Sequence, residues 1–244
     1  MSEIKPVHKL TIVIPVYNEQ ATIARVVERV CSIDLGDIQK EIVICDDGST
    51  DATCAAVEEL RKVHDQIVRV YTSPINLGKG AAVRLGMSFA TGDAIIIQDA
   101  DLELNPAEYV RMLRPILDGR ADVVYGSRFL PRSNHIPLRT RLANRFLTLL
   151  TNLLFGAHLS DMETAYKVFR REVVAGMRLR CVRFDFEPEI TARLLRAGHA
   201  IHEVPISYNP RTAEEGKKIS WVDGIEAVYT LLRCRFEQEP PCHS

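Results

Sequence analysis

Apolar and polar residues alternate in blocks along the first half of the chain. Four short apolar runs rich in β-branched residues predict buried strands at residues 10–16, 41–45, 68–71 and 94–98. Apolar residues recur at helical spacing between these runs and predict helices at 22–33 and 52–63 and a third helix that ends at residue 90. Strands joined by such helices are typical of right-handed crossovers. The pattern therefore predicts an α/β fold with a mostly parallel sheet and helices on both faces.

The polar residues directly after the fourth predicted strand carry a candidate metal site. Asp99, Asp101 and Glu103 occupy every second position there. In an extended chain such residues point to the same side, and three crowded carboxylates are unfavourable unless a cation joins them. Mg²⁺ or Mn²⁺ suits these hard oxygen ligands, and α/β sheets bind ligands at the carboxyl ends of their strands. The alternative for an isolated Asp-x-Asp pattern is a solvated acidic loop.

Two further strand ends carry residues that suit a nucleotide. Asp46 and Asp47 follow the second strand, where a carboxylate could accept hydrogen bonds from a base or from ribose hydroxyls. Residues 76–80 combine the positive charge of Lys79 with glycines, which let the backbone approach a ligand closely. The spacing of a Walker A loop is absent, and no G-x-G-x-x-G follows the first strand. The sequence therefore argues against a P-loop enzyme and against a dinucleotide-binding Rossmann domain.

Composition and charge are those of a soluble globular protein. The 244 residues suit one α/β domain, which we expect at residues 8–236 with a flexible tail at 237–244. Hydrophobic residues make up 46% and charged residues 26%, and the formal net charge of −1 gives no basic field for a nucleic acid. The sequence shows no signal-peptide pattern, no membrane-spanning apolar run and no Cys-x-x-Cys spacing among its six cysteines. We therefore expect a cytoplasmic protein with free thiols.

The second half of the chain places arginines beside an apolar segment. A strand predicted at 122–125 leads into a stretch that contains Arg128, Arg132, Arg139, Arg141 and Arg145. Residues 146–155 are apolar on most sides, which fits either a core helix or a helix in a membrane interface with its arginines facing phosphate headgroups. Residues 210–219 predict a loop with cations at positions 211, 217 and 218, and residues 221–236 predict a final amphipathic helix.

Four motifs in sequence order resemble the signatures of family 2 glycosyltransferases. They are Ile14-Pro-Val-Tyr-Asn-Glu19, Asp46-Asp-Gly-Ser-Thr-Asp51, Asn76-Leu-Gly-Lys-Gly80 and Asp99-Ala-Asp-Leu-Glu103. Residues 161–170 and 184–190 are similar to segments of the branch of dolichol-phosphate and other polyprenyl-phosphate mannose synthases. The resemblance extends over about residues 8–235. It implies the GT-A fold, a three-layer α/β/α sandwich that binds nucleotide sugars.

The resemblance also implies roles for individual residues. Those implied to bind the nucleotide sugar are Pro15, Tyr17, Glu19, Asp47, Lys79 and Asp99. Those implied to hold Mn²⁺ or Mg²⁺ are Asp99, Asp101 and Glu103, where relatives often carry Gln in place of Glu103. Those implied to act in catalysis are Asp101, Arg128, Glu187, Arg211 and Lys217. Those implied to bind an acceptor phosphate are Arg128, Arg139, Arg141 and Lys218.

The implied reaction is inverting transfer of a hexose from a nucleotide diphosphate sugar, GDP-mannose or UDP-glucose, to a polyprenyl phosphate, with mannose favoured over glucose. An acceptor phosphate is already ionised near neutral pH and needs no strong base, whereas arginines suit the binding of two anions. We expect the enzyme at the cytoplasmic face of a membrane, docked peripherally or through a separate membrane subunit.

Two other functions are compatible with the sequence. One is transfer to the hydroxyl of a soluble sugar or a protein, with Glu187 or Asp185 as the base. The other is a catalytically silent subunit that binds a nucleotide sugar.

Overall fold

Seven strands form one sheet in the part of the chain that the computed structural model describes, residues 5–131, 136–210 and 221–237. The strands are Lys9–Val16 (β1), Gln39–Asp46 (β2), Val68–Thr72 (β3), Ala94–Ile97 (β4), Val123–Ser127 (β5), Lys167–Arg170 (β6) and Ile201–Pro205 (β7). Their order across the sheet is β3-β2-β1-β4-β6-β5-β7, and β6 runs antiparallel to both of its neighbours while the other pairs are parallel. The prediction of a mostly parallel sheet is confirmed.

Helices cover both faces of this sheet. Those in the described residues are Ile23–Ser32 (α1), Thr53–Val63 (α2), Lys79–Phe89 (α3), Tyr109–Leu117 (α4), Leu138–Phe155 (α5), Arg171–Val174 (α6), Phe186–Arg196 (α7) and Trp221–Phe236 (α8). Alternate residues of β1 point to opposite faces, so Leu10 and Ile12 pack with α1, α2 and α4 while Val13 packs with α3 and α7. The three-layer α/β/α sandwich expected from the sequence is confirmed.

Some element limits differ from the sequence pattern. α5 begins at Leu138, because its apolar positions continue at helical spacing between the arginines that precede residue 146. The sequence predicts a helix over residues 189–197, and α7 begins earlier, at Phe186, with Pro188 in its first turn. The pattern predicted neither α4 nor β6. The final helix has the predicted limits of 221–236. Within the described residues, no helix is both long enough and apolar enough to cross a membrane.

A few predicted features fall outside the described residues. They are Arg132, the cations Arg211, Lys217 and Lys218, and positions 238–244 of the expected tail. The domain limits of 8–236 stay a prediction, and the described elements run from Lys9 to Phe236. The cysteines within the described residues are free thiols.

The contact between α3 and β1 depends on a glycine. Gly86 lies on the inner side of α3, and a Cβ added there would lie 2.4 Å from Val13 Cγ1 and 3.2 Å from Cys45 Sγ. Gly224, in α8, has no heavy atom within 4 Å of the place that a Cβ would take. The two helical glycines therefore form a matched pair, one crowded and one open.

We expect Gly86→Ala to lower the free energy of unfolding by about 1–3 kcal/mol, because an overpacked contact forces side chains and backbone to shift. Gly224→Ala should leave it unchanged or raise it by up to about 1 kcal/mol, since alanine is the better helix former. Urea denaturation of both variants measures these effects. Equal changes in the two variants would contradict the close approach of α3 to β1.

Candidate active site

The loop after β1 and the turn after β2 are joined by hydrogen bonds. Asn18 has a left-handed backbone with a φ of 54°, and its Oδ1 accepts from the backbone N of Thr50 at 2.8 Å. Ser49 Oγ accepts from the backbone N of Asn18 at 3.0 Å and donates to Asp46 Oδ1 at 2.5 Å. The candidate nucleoside ligands that lie on β1 and its loop, next to this turn, are Pro15, Tyr17 and Glu19.

A groove of about 820 Å³ runs along α3, and its lining includes Asp46 and Asp47 but not Lys79 or Asp99. Asp46 is 2% exposed, and its Oδ2 has no hydrogen-bond partner within the described residues. Buried polar atoms are nearly always hydrogen-bonded in folded proteins. This oxygen is therefore a candidate acceptor for a donor group of a nucleoside.

Asp47 holds the glycine-containing loop that precedes α3. Its Oδ1 accepts from the backbone N of Leu77 at 2.9 Å, and its Oδ2 accepts from the backbone N of Gly78 at 2.6 Å. Gly78 has a φ of 111°, and a Cβ there would lie 2.5 Å from the carbonyl oxygen of Val182. The sequence led us to expect that glycine here admits a ligand. The structure gives a second reason for glycine at position 78, the close approach of another backbone segment, and the approach of a ligand stays a prediction.

Lys79 joins the two halves of the chain at the first turn of α3. Its Nζ lies 2.9 Å from Asp99 Oδ1 and 2.9 Å from Glu187 Oε1. Glu187 stands in the first turn of α7, 108 positions further along the sequence. Burial disfavours the ammonium charge, but the two carboxylates outweigh burial and hold the pKa of Lys79 above its usual value. The lysine is therefore a fixed cation between two carboxylates.

Gln98, which is fully buried, anchors the backbone of the acidic motif after β4. Its Oε1 accepts from the hydroxyl of Tyr109 at 2.7 Å and from the hydroxyl of Tyr166 at 2.6 Å. Its Nε2 donates to the carbonyl oxygen of Asp99 at 3.0 Å. Burial raises the pKa of both tyrosines well above the usual value, so both remain hydrogen-bond donors.

The acidic motif bends instead of continuing as an extended chain. Asp101 Oδ1 accepts from the backbone N of Glu103 at 3.1 Å, and Glu103 Oε2 accepts from the hydroxyl of Tyr208 at 3.1 Å. The described residues contain no group of three or more His, Cys, Asp or Glu side chains that could hold a metal ion. The expected crowding of three carboxylates is therefore wrong. Mg²⁺ often takes one or two carboxylates and completes its coordination with substrate phosphates, so Asp99 and Asp101 fit an ion shared with a diphosphate.

Arg128 is held at the end of β5 by a bidentate ion pair with Asp161, which the sequence did not single out. The Arg128 Nε lies 2.8 Å from Asp161 Oδ2, and its Nη2 lies 2.7 Å from Oδ1. Asp161 is fully buried, and its backbone N donates to Glu203 Oε1 at 3.0 Å. Burial opposes the guanidinium charge, but Asp161 outweighs burial and raises the pKa of Arg128. The ring centroid of Tyr208 lies 5.4 Å from the guanidinium, within cation–π range.

Two further ionisable side chains lie in the segment that enters β6. Glu163 Oε1 is buried without a hydrogen-bond partner in the described residues. Burial, and then repulsion by Glu187, raise the pKa of Glu163. Lys167 is fully buried, donates to the carbonyl oxygen of Met162 and lies 4.3 Å from the ring centroid of Tyr125, and burial lowers its pKa. The sequence signal that could have pointed to Glu163 and Lys167 is that they are opposite charges, four positions apart, in a stretch that also contains apolar residues.

The other predicted site residues occupy the start of α5 and of α7. Arg139 and Arg141 lie in the first turn of α5, where Arg139 is exposed and Arg141 is half-buried. Asp185 Oδ1 accepts from the backbone N of Val182 and of Arg183, both at 2.9 Å. These contacts give Asp185 a structural role at the beginning of α7 and argue against its use as a base.

Comparisons with known proteins define the family and the fold. Residues 11–177 match the family model described as Glycosyl transferase family 2. Polyprenol monophosphomannose synthase from Mycolicibacterium smegmatis (strain ATCC 700084 / mc(2)155) is 29% identical over 219 residues, which cover 85% of this chain and 80% of that protein.

Solved structures of glucosyl-3-phosphoglycerate synthase from Mycobacterium tuberculosis share the fold. The complex with Mn²⁺, uridine diphosphate and glucosyl-3-phosphoglycerate has a TM-score of 0.72 at 20% identity and covers 95% of this chain and 81% of that chain. The complex with Mg²⁺ and uridine diphosphate has a TM-score of 0.69 at 22% identity, and the match covers 95% of this chain and 81% of that chain.

The sandwich architecture and the likeness to these solved structures define the GT-A fold. Because the family model matches more than half of the sequence, the chain belongs to family 2 of the glycosyltransferases. Within that family it is similar to the polyprenyl-phosphate mannose synthase branch. The recognition made from the sequence motifs is confirmed.

The carboxyl of Glu163, whose Oε1 is buried, predicts a pH-dependent stability. The pKa of Glu163 in the folded protein is raised above the ordinary value of 4.5. At a pH between 4.5 and the folded pKa, the folded state therefore retains a proton that the unfolded state has lost. The free energy of unfolding should therefore fall as the pH rises from about 4.5 toward the folded pKa. In Glu163→Gln this fall should be smaller. Urea denaturation across this pH range measures it, and identical pH dependences of the two proteins would contradict the raised pKa.

Proposed function

We propose that the protein transfers a hexose, with mannose favoured over glucose, from a nucleotide diphosphate sugar to a polyprenyl phosphate with inversion at the anomeric carbon. The observation that carries this proposal is the ion pair between Lys79 and Glu187. Transfer to a hydroxyl needs a carboxylate that can take a proton, and in the carboxylate suggested for that role Oε1 already accepts a hydrogen bond from the ammonium of Lys79, 2.9 Å away. A phosphate acceptor needs no such base. The similarity to polyprenol monophosphomannose synthase supports the same choice.

The donor would bind across the ends of β1, β2 and β4. The residues proposed for its nucleoside are Pro15, Tyr17, Glu19 and Asp47. Mn²⁺ or Mg²⁺ held by Asp99 and Asp101 would neutralise charge on the leaving nucleoside diphosphate. Lys79 would orient Asp99 for this task and add a positive charge beside it. Glu103 is the weakest of the proposed metal ligands, because its carboxylate is bonded to Tyr208.

The acceptor would bind beside the ends of β4 and β5. An oxygen of its phosphate forms the new bond to the anomeric carbon while the bond from that carbon to the nucleoside diphosphate breaks. Arg128, oriented by Asp161, would hold the acceptor phosphate close to the leaving diphosphate. The other cations proposed to bind these anions are Arg139, Arg141, Arg211, Lys217 and Lys218. The acceptor lipid would be met at the cytoplasmic face of a membrane, by peripheral contact or through a separate membrane subunit.

An activity assay tests the proposal. The protein is incubated with Mn²⁺ or Mg²⁺, radiolabelled GDP-mannose or UDP-glucose, and a short polyprenyl phosphate. We expect label in the organic phase, and we expect it to be lost with EDTA and in the Asp101→Ala variant. Released nucleotide without a lipid product would indicate a soluble acceptor. Nucleotide binding without any turnover would indicate a silent subunit. Either result would overturn the proposal.

Glu187→Gln separates a phosphate acceptor from a hydroxyl acceptor. The glutamine oxygen can still accept a hydrogen bond from Lys79, but the side chain can no longer take a proton. We expect kcat for lipid-phosphate transfer to fall by less than about tenfold, whereas loss of a general base typically costs about 10²–10⁴-fold. The melting temperature serves as the control for folding. A loss of the larger size in a well-folded variant would show that Glu187 acts as a base, and would contradict a transfer to phosphate that needs none.

A further inference from the structure

The turn that enters β6 is held on both sides of Glu163. Thr164 Oγ1 donates to the carbonyl oxygen of Gly126, in β5, at 2.6 Å. The ammonium of Lys167 donates to the carbonyl oxygens of Met162 and Thr164. The backbone at position 163 therefore has a fixed place beside the end of β5.

The carboxyl of Glu163 takes no part in these bonds. Its Oε1 is buried and has no hydrogen-bond partner within the described residues, while the residue as a whole is half-buried. A buried polar oxygen without a partner lowers the stability of a protein, so its presence calls for an explanation. Because Thr164 and Lys167 hold the turn without it, the fold does not account for a carboxyl at this position.

The charges that act on Glu163 come from both proposed binding sites. Burial is the largest cause of its raised pKa, repulsion by Glu187 adds to the rise, and Lys167 and Arg128 oppose it. Glu187 is the partner of Lys79 on the donor side. Arg128 is the proposed ligand of the acceptor phosphate. The carboxyl therefore lies within electrostatic range of the donor side and of the acceptor side.

The hexose of the donor is the part of the substrates that suits this place. In the proposed reaction the anomeric carbon lies between the leaving diphosphate and the acceptor phosphate. Both of those groups are anions, which offer a carboxyl no hydrogen-bond donor, whereas the hexose is neutral and carries several hydroxyls. The raised pKa of Glu163 favours the protonated carboxyl, which can both donate and accept, as a sugar hydroxyl can.

We propose that Glu163 recognises the hexose of the nucleotide sugar through hydrogen bonds between its carboxyl group and a hydroxyl of the sugar. The terminal torsion of a glutamate side chain is soft, so the carboxyl can turn and present either oxygen to the sugar. The inference rests on the proposed function for the place of the hexose. It concerns binding of the donor and does not depend on the nature of the acceptor.

Titration calorimetry with the full chain tests the proposal. The probes are GDP-mannose with GDP, and UDP-glucose with UDP, all in the presence of Mn²⁺, and the two ligands of a pair differ by the hexose. Glu163→Met keeps the length of the side chain and removes both oxygens. We expect this variant to bind the nucleotide sugar at least about tenfold more weakly than the wild type, because a sugar hydroxyl loses its partner in a buried place. Its affinity for the nucleoside diphosphate should be unchanged.

Glu163→Gln is the conservative variant. Its amide group can donate and accept as the protonated carboxyl does, so it should retain most of the affinity for the nucleotide sugar. Glutamine that binds the nucleotide sugar as weakly as methionine would overturn the proposal.

Thr164→Val is the matched control in the same turn. It removes the hydrogen bond to Gly126 at almost constant size, so it should lower the melting temperature and change both affinities of a pair by the same factor. Glu163→Met should not lower the melting temperature, because the oxygen it removes from the interior had no partner. Glu163→Ala gives the same comparison if methionine does not fit. Equal changes for the two ligands of a pair in the folded Glu163 variants, or no change, would overturn the proposal.

The two proposals fail in different ways. If Glu163→Met weakens only the nucleotide sugar and no label enters the lipid in the activity assay, the proposed acceptor is wrong and the role of Glu163 stands. If label enters the lipid and the variant binds both ligands like the wild type, the reaction stands and the role of Glu163 is wrong. A wild type that binds neither pair of nucleotides would overturn both.

Discussion

The ion pairs of Lys79 are the constraint on which the rest of the site depends. Asp99 comes from the end of β4 and Glu187 from the start of α7, and without a cation between them two carboxylates would repel each other in a poorly hydrated place. The lysine can occupy this position because the loop before it is held by Asp47. Carboxylates from three parts of the chain thus position one short segment, and the proposed donor site is arranged around it.

The antiparallel strand explains why the acceptor side lies next to the donor side. β6 lies between β4 and β5 in the sheet. Because it runs opposite to them, the segment that enters β6 lies at the same edge as the segments that leave β4 and β5. That segment supplies Asp161, which orients Arg128, and Tyr166, which helps Gln98 to anchor the backbone at Asp99. One reversed strand therefore supports both proposed binding sites.

The sequence predicted the fold class and the main motifs because both depend on local patterns. Strand periodicity, the polar residues at strand ends and the order of the motifs can all be read over short windows. The pairing of Lys79 with Glu187, 108 positions apart, leaves no trace in such a window. The same holds for Arg128 and Asp161, whose partnership depends on the reversed β6. α5 shows a further limit: its composition allowed either a core or an interface helix, and only the burial of Thr148 and Thr151 reveals which side faces inward.

The close contact between the glycine loop and the segment before α7 has a consequence for how such enzymes can be recombined. A Cβ at Gly78 or Gly80 would lie 2.5 Å or 2.9 Å from backbone oxygens of residues 182 and 183, and the backbone N of Gly80 donates to one of them. This contact joins the N-terminal and C-terminal halves of the chain through their backbones. A chimera that takes its acceptor half from a relative would therefore need a backbone of the same course at residues 181–183. Two halves taken from different enzymes can pack together only if their backbones match at this glycine contact, whichever substrates they bind.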